Sequence, residues 1–309
     1  MNNNLALVTD LGGTFIKCAL VNESGRIIYS NSVSTEAQKG KEYVIKKLIE
    51  QQRNIFINKK DLIKCVVGMA VGCPGPVDIE KGIISNPPNL PGWAKVPIRN
   101  IISKAWGMPV LIENDANAAA LGENWLGAGK GSKSMVCITL GTGVGGSIVI
   151  NGEIFHGATG VAGELGHITI DPKGKKCKCG NNGCLEQYVG RQAIEEEMLR
   201  VIGEKGSPKE LGALVRANNK NAGKIVENIG KKIGIVTADI SNFINPEIIV
   251  IGGGIAGLGK KLFDAIRSET KKRAFPDATK KLKISKAQLG EAAGLIGLTK
   301  MVFNPALSK

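Results

Sequence analysis

The chain has 309 residues, seven cysteines and two histidines, and its 41 lysines and arginines against 27 carboxylates leave a net charge of +14. An apolar fraction of 43% is ordinary for a soluble globular protein, and the length suits two domains of roughly 150 residues rather than one core. No run approaches the roughly 18 apolar residues of a membrane span, the opening MNNNLALVTD lacks the basic and apolar regions of a secretory leader, and the lysines are thinly spread with only 4% aromatics to stack on bases.

The expectation is a cytoplasmic protein without membrane or nucleic-acid partners, its basic charge lying on solvated helix faces. Cys18, Cys65, Cys73 and Cys137 sit singly among apolar residues and read as small core hydrophobes.

The apolar run Leu5 to Val8 ends at Asp10, and Leu11-Gly12-Gly13-Thr14 turns the chain into a second strand from Phe15 to Val21. Adjacent glycines let backbone amides approach a ligand closely. The tip therefore fits either a plain hairpin turn or a phosphate cradle with Asp10 near a magnesium ion. A strand from Arg26 to Ser30 follows, then a helix from about Gly40 to Asn54, in which Val44, Ile45, Leu48 and Ile49 recur at helical spacing. The stretch Ile63 to Val71 reads as a buried strand ending in Gly72-Cys73-Pro74-Gly75-Pro76, a loop at the strand end where open α/β sheets hold ligands. Asn86 to Trp93 is too proline-rich for regular structure and reads as a loop with a purpose.

Pro109 to Glu113 predicts a short strand, followed by Asn114-Asp115-Ala116-Asn117 and an Ala-rich helix to about Leu126. Asn114 or Asp115 caps that helix. Asp115 held at a helix N-terminus is also a carboxylate positioned to take a proton, and the two roles are compatible. Met135 to Leu140 runs through Gly141-Thr142-Gly143-Val144-Gly145-Gly146 into a strand from Ser147 to Ile150. A dinucleotide fingerprint must open a helix, so this glycine turn instead repeats the first hairpin. Two such tips suggest a duplicated fold holding a phosphate chain between its halves.

Residues Gly163 to Gln187 gather His167, Cys177, Cys179, Cys184 and the carboxylates Glu164 and Glu186. Three thiols and an imidazole match a tetrahedral zinc site, structural because all four positions are protein ligands. A disulfide or three unrelated thiols are the alternatives, less suited to a cytosolic Cys-x-Cys beside Gly180 and Gly183. Beyond it, Gln187 to Val201 and Ala222 to Phe243 read as helices, Glu247 to Ile251 as a buried strand, and Gly252-Gly253-Gly254 as a third glycine turn leading into a helix near Leu258 to Lys272. The chain lacks a Walker A pattern, which excludes a P-loop NTPase.

In order, D-x-G-G-T, E-N-D-A-N, L-G-T-G-V-G-G, G-E-L-G-H, C-x-C-G-x-x-G-C-x-E and I-G-G-G resemble the ROK family of repressors, open reading frames and sugar kinases over essentially the whole chain. The resemblance implies an α/β, two-lobed actin-like ATPase (ribonuclease H-like) fold with a structural zinc loop. Its smaller lobe would be residues 1–115 plus a C-terminal helix at 294–309, and its larger lobe residues 116–293. It further implies zinc on His167, Cys177, Cys179 and Cys184, and a sugar site of Gly75, Asn114, Asp115, Glu164, His167 and Glu186 with Asp115 the general base. Asp10, Gly12, Gly13 and Thr14, then Gly141, Thr142 and Gly143, and finally Gly252, Gly253 and Gly254 would hold Mg-ATP, with inorganic polyphosphate as another possible donor. The implied activity is phosphorylation of the 6-hydroxyl of a hexose, glucose first, by a homodimer or homotetramer. A sugar-responsive repressor would need a DNA-reading domain ahead of a first strand that begins near Leu5.

Overall fold

The structure, a computed structural model, describes residues 4–57 and 59–304. In chain order, β1 (Leu5–Leu11), β2 (Phe15–Asn22) and β3 (Ile27–Ser34) lead to α1 (Lys41–Ile57), β4 (Val66–Cys73), the short β5 (Val77–Asp78) and β6 (Ile83–Ile84), and α2 (Ile98–Trp106). Then follow β7 (Val110–Asn114), α3 (Asp115–Trp125), β8 (Ser134–Leu140), β9 (Val144–Ile150) and β10 (Glu153–Ile154). The remainder is α4 (Glu186–Val189), α5 (Arg191–Ile202), α6 (Pro208–Arg216), α7 (Lys220–Phe243), β11 (Ile248–Gly252), α8 (Lys260–Arg273), α9 (Pro276–Thr279), β12 (Lys283–Lys286) and α10 (Ala293–Phe303).

Two compact units result. Among the described residues, the first takes the chain up to Lys130, the segment Glu153–Ala162 and the stretch from Glu291 to Asn304, and the second takes Gly131–Gly152 and Gly163–Gly290. The division thus falls after α3, not before it at residue 116. α3 stays with the first unit because it packs on α10 at close range. A Cβ on Gly297 would lie 1.7 Å from Ala118 O, and one on Gly122 would lie 2.1 Å from Ala293 O, so only glycines permit this approach.

In the first unit the sheet order is β3-β2-β1-β4-β7. β2 is antiparallel to both β1 and β3, while β4 is parallel to both β1 and β7. Alternation along β1 sorts two cores. Leu5 and Leu7 join Val44, Leu48 and Ile55 of α1 and Ile98 and Ile102 of α2. Ala6 and Val8, with Ala19 and Ala70, face Ala118, Leu121, Leu295 and Leu298 of the other helix pair. The small side chains are on the face that carries the close-packed helices.

The second unit repeats the order as β9-β8-β11-β12, with an antiparallel hairpin and then parallel strands. Its core packs Val136, Ile138 and Leu140 with Ile225, Ile229, Ile233 and Val236 of α7. Asn219 caps α7 through the Ala222 N–H at 3.0 Å.

Three further expectations need correcting. The strand at 63–71 starts only at Val66, since residues 60–65 coil into a 3-10 turn that leaves Ile63 47% exposed. The helix at 187–201 is two helices meeting at Gly190, whose extended backbone breaks the ladder. The last helix ends at Phe303, and residues 305–309 of its expected span lie outside the described residues.

Candidate active site

In the first unit the candidate residues gather at the carboxyl ends of parallel strands, where an open α/β sheet exposes backbone and side chains to a ligand. Asp10 of β1 lies in register with Gly72 of β4, Gly72 with Glu113 of β7, and Cys73 with Asn114. Asn114 is the N-cap of α3, its Oδ1 accepting from the Ala116 and Asn117 N–H groups at 3.0 and 3.2 Å. Asp115 Oδ1 accepts from Ala116 N–H at 2.8 Å. Capping therefore falls to Asn114, and Asp115 is the adjacent carboxylate at a helix N-terminus. Burial, and then the charge of Asp10, push its carboxyl up to about 6. Burial likewise raises Asp10, opposed by Lys17, its cross-strand neighbour on β2.

Gly75 sits against the same loop, since a Cβ there would come within 3.0 Å of Asn114 Nδ2. The Gly12–Thr14 tip is tied down by Thr35, whose hydroxyl donates to Gly12 O at 2.7 Å and whose N–H donates to Thr14 O at 2.8 Å. Gly13 backs onto Asn89 of the proline-rich loop, 2.5 Å from a would-be Cβ to Asn89 Cβ. That loop buttresses the turn.

Sequence reasoning passed over Glu113 and His156. The Glu113 carboxylate is buried, with Oε1 accepting from Asn114 N–H at 2.7 Å and Asn117 Nδ2 at 3.0 Å, and Oε2 lying 2.8 Å from His156 Nε2. Its bonds raise the His156 pKa against the opposing effect of burial. A carboxylate directly before Asn114 was visible, but its partner stands 43 residues away.

In the second unit the glycine turns at Gly141 and Gly252 meet, because β8 and β11 are parallel and in register at Thr139 and Gly252. Gly253, at φ +83°, packs where a Cβ would lie 2.2 Å from Leu140 O, a place closed to any other residue. Both turns line a cavity of about 400 Å³ with Ile255, Arg191, Lys209 and Arg216. These three cations also escaped the sequence reading. So did α6, although Ser207, Pro208 and Glu210 spell a capping box that the structure forms.

Glu186, first residue of α4, accepts from Val144 N–H at 2.9 Å and abuts Gly143. His167 and the three cysteines do come together, their ligand atoms all within 4.8 Å of one another. Cys177 Sγ is 3.7 Å from His167 Nδ1, and Cys179 Sγ is 3.6 Å from Cys184 Sγ. That separation is far beyond a disulfide's roughly 2.05 Å and close to the edge of about 3.8 Å expected between sulfurs each about 2.3 Å from one tetrahedral zinc. The loop is shaped by Gly183, whose N–H donates to Lys175 O at 2.7 Å and whose carbonyl accepts from Ile170 at 2.8 Å. The other ring nitrogen, His167 Nε2, points to Glu164 Oε2 at 4.0 Å.

The model of the ROK family matches residues 6–304. The chain belongs to the ROK family. It is 34% identical to a glucokinase of Halalkalibacterium halodurans over 96% of this chain and 94% of that protein. It is also 28% identical to a xylose repressor of Caldicellulosiruptor bescii over 97% of this chain and 78% of that protein. Among solved structures it superposes on a ROK hexokinase from Thermus thermophilus with TM-score 0.85 and 33% identity, covering 96% and 97% of the two chains. On a ROK glucokinase from Streptomyces griseus in complex with glucose and AMPPNP the TM-score is 0.77 and the identity 29%, covering 96% and 99%. The α/β fold with mixed sheets is that of these ROK proteins. Among the described residues no helix is long and apolar enough to cross a membrane.

Proposed function

We propose that this chain is an ATP-dependent hexose kinase that phosphorylates the 6-hydroxyl of glucose, with Asp115 as general base. The observation that carries this reading is the position of the Asp115 carboxylate, first residue of α3 beside the Asn114 cap, where burial and then Asp10 push its pKa up to about 6. A sugar hydroxyl is far too weak an acid to ionise in advance, so its proton must pass to a base as its oxygen attacks phosphorus. A carboxylate with a pKa near the working pH combines the ionised form with proton affinity. Asn114 and Gly75 border Asp115, and on this reading they orient the sugar. Paired hydrogen bonds to sugar hydroxyls discriminate strongly against analogues that lack them.

The donor reading rests on the cavity lined by Gly141, Thr142, Gly254, Ile255, Arg191, Lys209 and Arg216. Glycines beside Ile255 suit a flat base, and the three cations suit a phosphate chain, which favours ATP over inorganic polyphosphate. Asp10 and Asp115 raise local negative charge with Lys17 the cation acting on Asp10, a setting that fits Mg²⁺. Bound Mg²⁺ supplies neutralisation of the charge on the transferring phosphoryl group. The donor set and spacing of His167, Cys177, Cys179 and Cys184 fit zinc in a structural role, which would fix the loop carrying Glu164.

The test is ADP release with Mg-ATP against glucose, fructose, mannose, allose, N-acetylglucosamine and N-acetylmannosamine. Highest kcat/KM with glucose supports the proposal, and highest kcat/KM with another sugar transfers it to that sugar. No turnover with any sugar, with ATP or polyphosphate, would replace it by a sugar-sensing role, the direction in which the xylose repressor relative points.

A further inference from the structure

Half of the chain's net charge of +14 comes from one stretch. Between Lys260 and Lys286 ten lysines and arginines face three carboxylates, Asp264, Glu269 and Asp277. Each of these carboxylates is engaged: Asp264 with Lys260 and Arg267, Glu269 with Arg273, and Asp277 with Lys280. Folding brings four of the cations, Arg267 and Lys271 of α8, Lys280 after α9 and Lys283 of β12, around a second cavity of about 820 Å³ in this unit. Leu282, Ile284 and Pro276 also line it, and no carboxylate does. Among the described residues Lys271 and Lys283 have no carboxylate within ion-pair distance.

We propose that this cavity binds a small molecule bearing two or more phosphate groups, at a site separate from the glycine turns. Arg267 is built in: its Nη2 donates to Ile284 O at 2.8 Å, its Nη1 lies 3.6 Å from Asp264, and its guanidinium stands 5.6 Å over the Phe263 ring. A guanidinium so fixed presents its remaining N–H groups in the fork geometry that matches phosphate. Arg267 and Lys271 are four apart on one helix face, an arrangement of like charges that costs a few tenths of a kcal/mol until an anion bridges it. The cavity lies within the roughly 300–1,000 Å³ of small-molecule sites. A second copy docking through the same face would present like charge to it, whereas a multiply charged anion complements it.

Sodium tripolyphosphate titrated into the methyl-labelled full chain separates this site from the other, because Ile284 and Leu282 report on it while Ile255 reports on the glycine-turn cavity. The expected result is a saturable shift of the Ile284 and Leu282 methyls that persists at roughly 150 mM salt, where unbound surface charges are screened beyond about 8 Å. In the Lys271→Gln/Lys283→Gln variant affinity at these methyls should fall by about tenfold or more, with the Ile255 response unchanged. Unmoved Ile284 and Leu282, equal shifts in the double variant, or shifts erased by that salt would overturn the proposal. Tighter binding of a single-stranded oligonucleotide at the same methyls would overturn it in favour of a polymer.

Discussion

Glu186 Oε2 accepts the Val144 N–H at 2.9 Å, tying a carboxylate proposed to contact the sugar directly to the glycine turn proposed to hold the phosphates. Removing it leaves a buried N–H unpaired, which costs about 1–3 kcal/mol. Glu186→Ala should therefore raise KM for both ATP and sugar. Glu186→Gln keeps an acceptor oxygen for Val144 and should raise the sugar KM while leaving the ATP KM nearly unchanged. Steady-state kinetics on both variants checks this, and an unchanged ATP KM in the alanine variant would break the link.

Asp115→Asn removes the proposed proton acceptor. General-base catalysis is worth about 10²–10⁴-fold, and kcat should fall by that much with sugar binding retained. The same variant should be more stable. A largely desolvated carboxyl raised from 3.8 to about 6 contributes its stability fully below the unfolded value and loses it as pH rises through about 6. At pH 8 the ionised form then costs on the order of 2–3 kcal/mol, so Asp115→Asn should melt higher than the wild type there and equal it near pH 4. Near-normal kcat would remove Asp115 from the base role.

The pH profile of kcat/KM carries the same signature. Asp115 must be ionised to accept a proton, so activity should fall on the acid side with an apparent pKa of about 6. An acid limb near 4 would mean that the burial and Asp10 effects are absent in solution.

His156 holds the otherwise buried Glu113 carboxylate at 2.8 Å. His156→Ala should lower stability by about 1–2 kcal/mol, the worth of a hydrogen bond to a charged group discounted for a side chain 35% exposed. Because the folded His156 pKa is raised, this stabilisation is complete below about 6.5 and fades as pH climbs through the raised value. Thermal melts from pH 5 to 9 should show the two proteins converging at alkaline pH.

Purified protein should contain about one zinc per chain, and Cys184→Ser should lose both the metal and the activity if, as proposed, the metal fixes the loop that carries Glu164. Metal content by elemental analysis and ADP release decide it. Full activity without metal would mean the loop holds its shape alone.

Much of this protein was legible in the chain because its chemistry is carried by short local motifs. A strand ending in a carboxylate and a glycine pair reads as a hairpin tip from local sequence, and the three thiols stand within eight positions of one another with His167 only 10 residues before Cys177. Strand-end loops and the Asn114 cap are similarly local. What sequence could not decide depends on residues far apart in the chain. The Glu113–His156 pair forms only because Glu153–Ala162 returns to the first unit. The close packing of α3 on α10 required glycines in both helices to meet, Gly122 and Gly297, which moved α3 into that unit. The cations Arg191, Lys209 and Arg216 share a cavity with the Gly141 and Gly254 turns only after parallel β8 and β11 are set side by side. Local backbone preference and spacing select the candidate site residues, whereas burial, and hence the raised Asp115 carboxyl, exists only in the packed sheet.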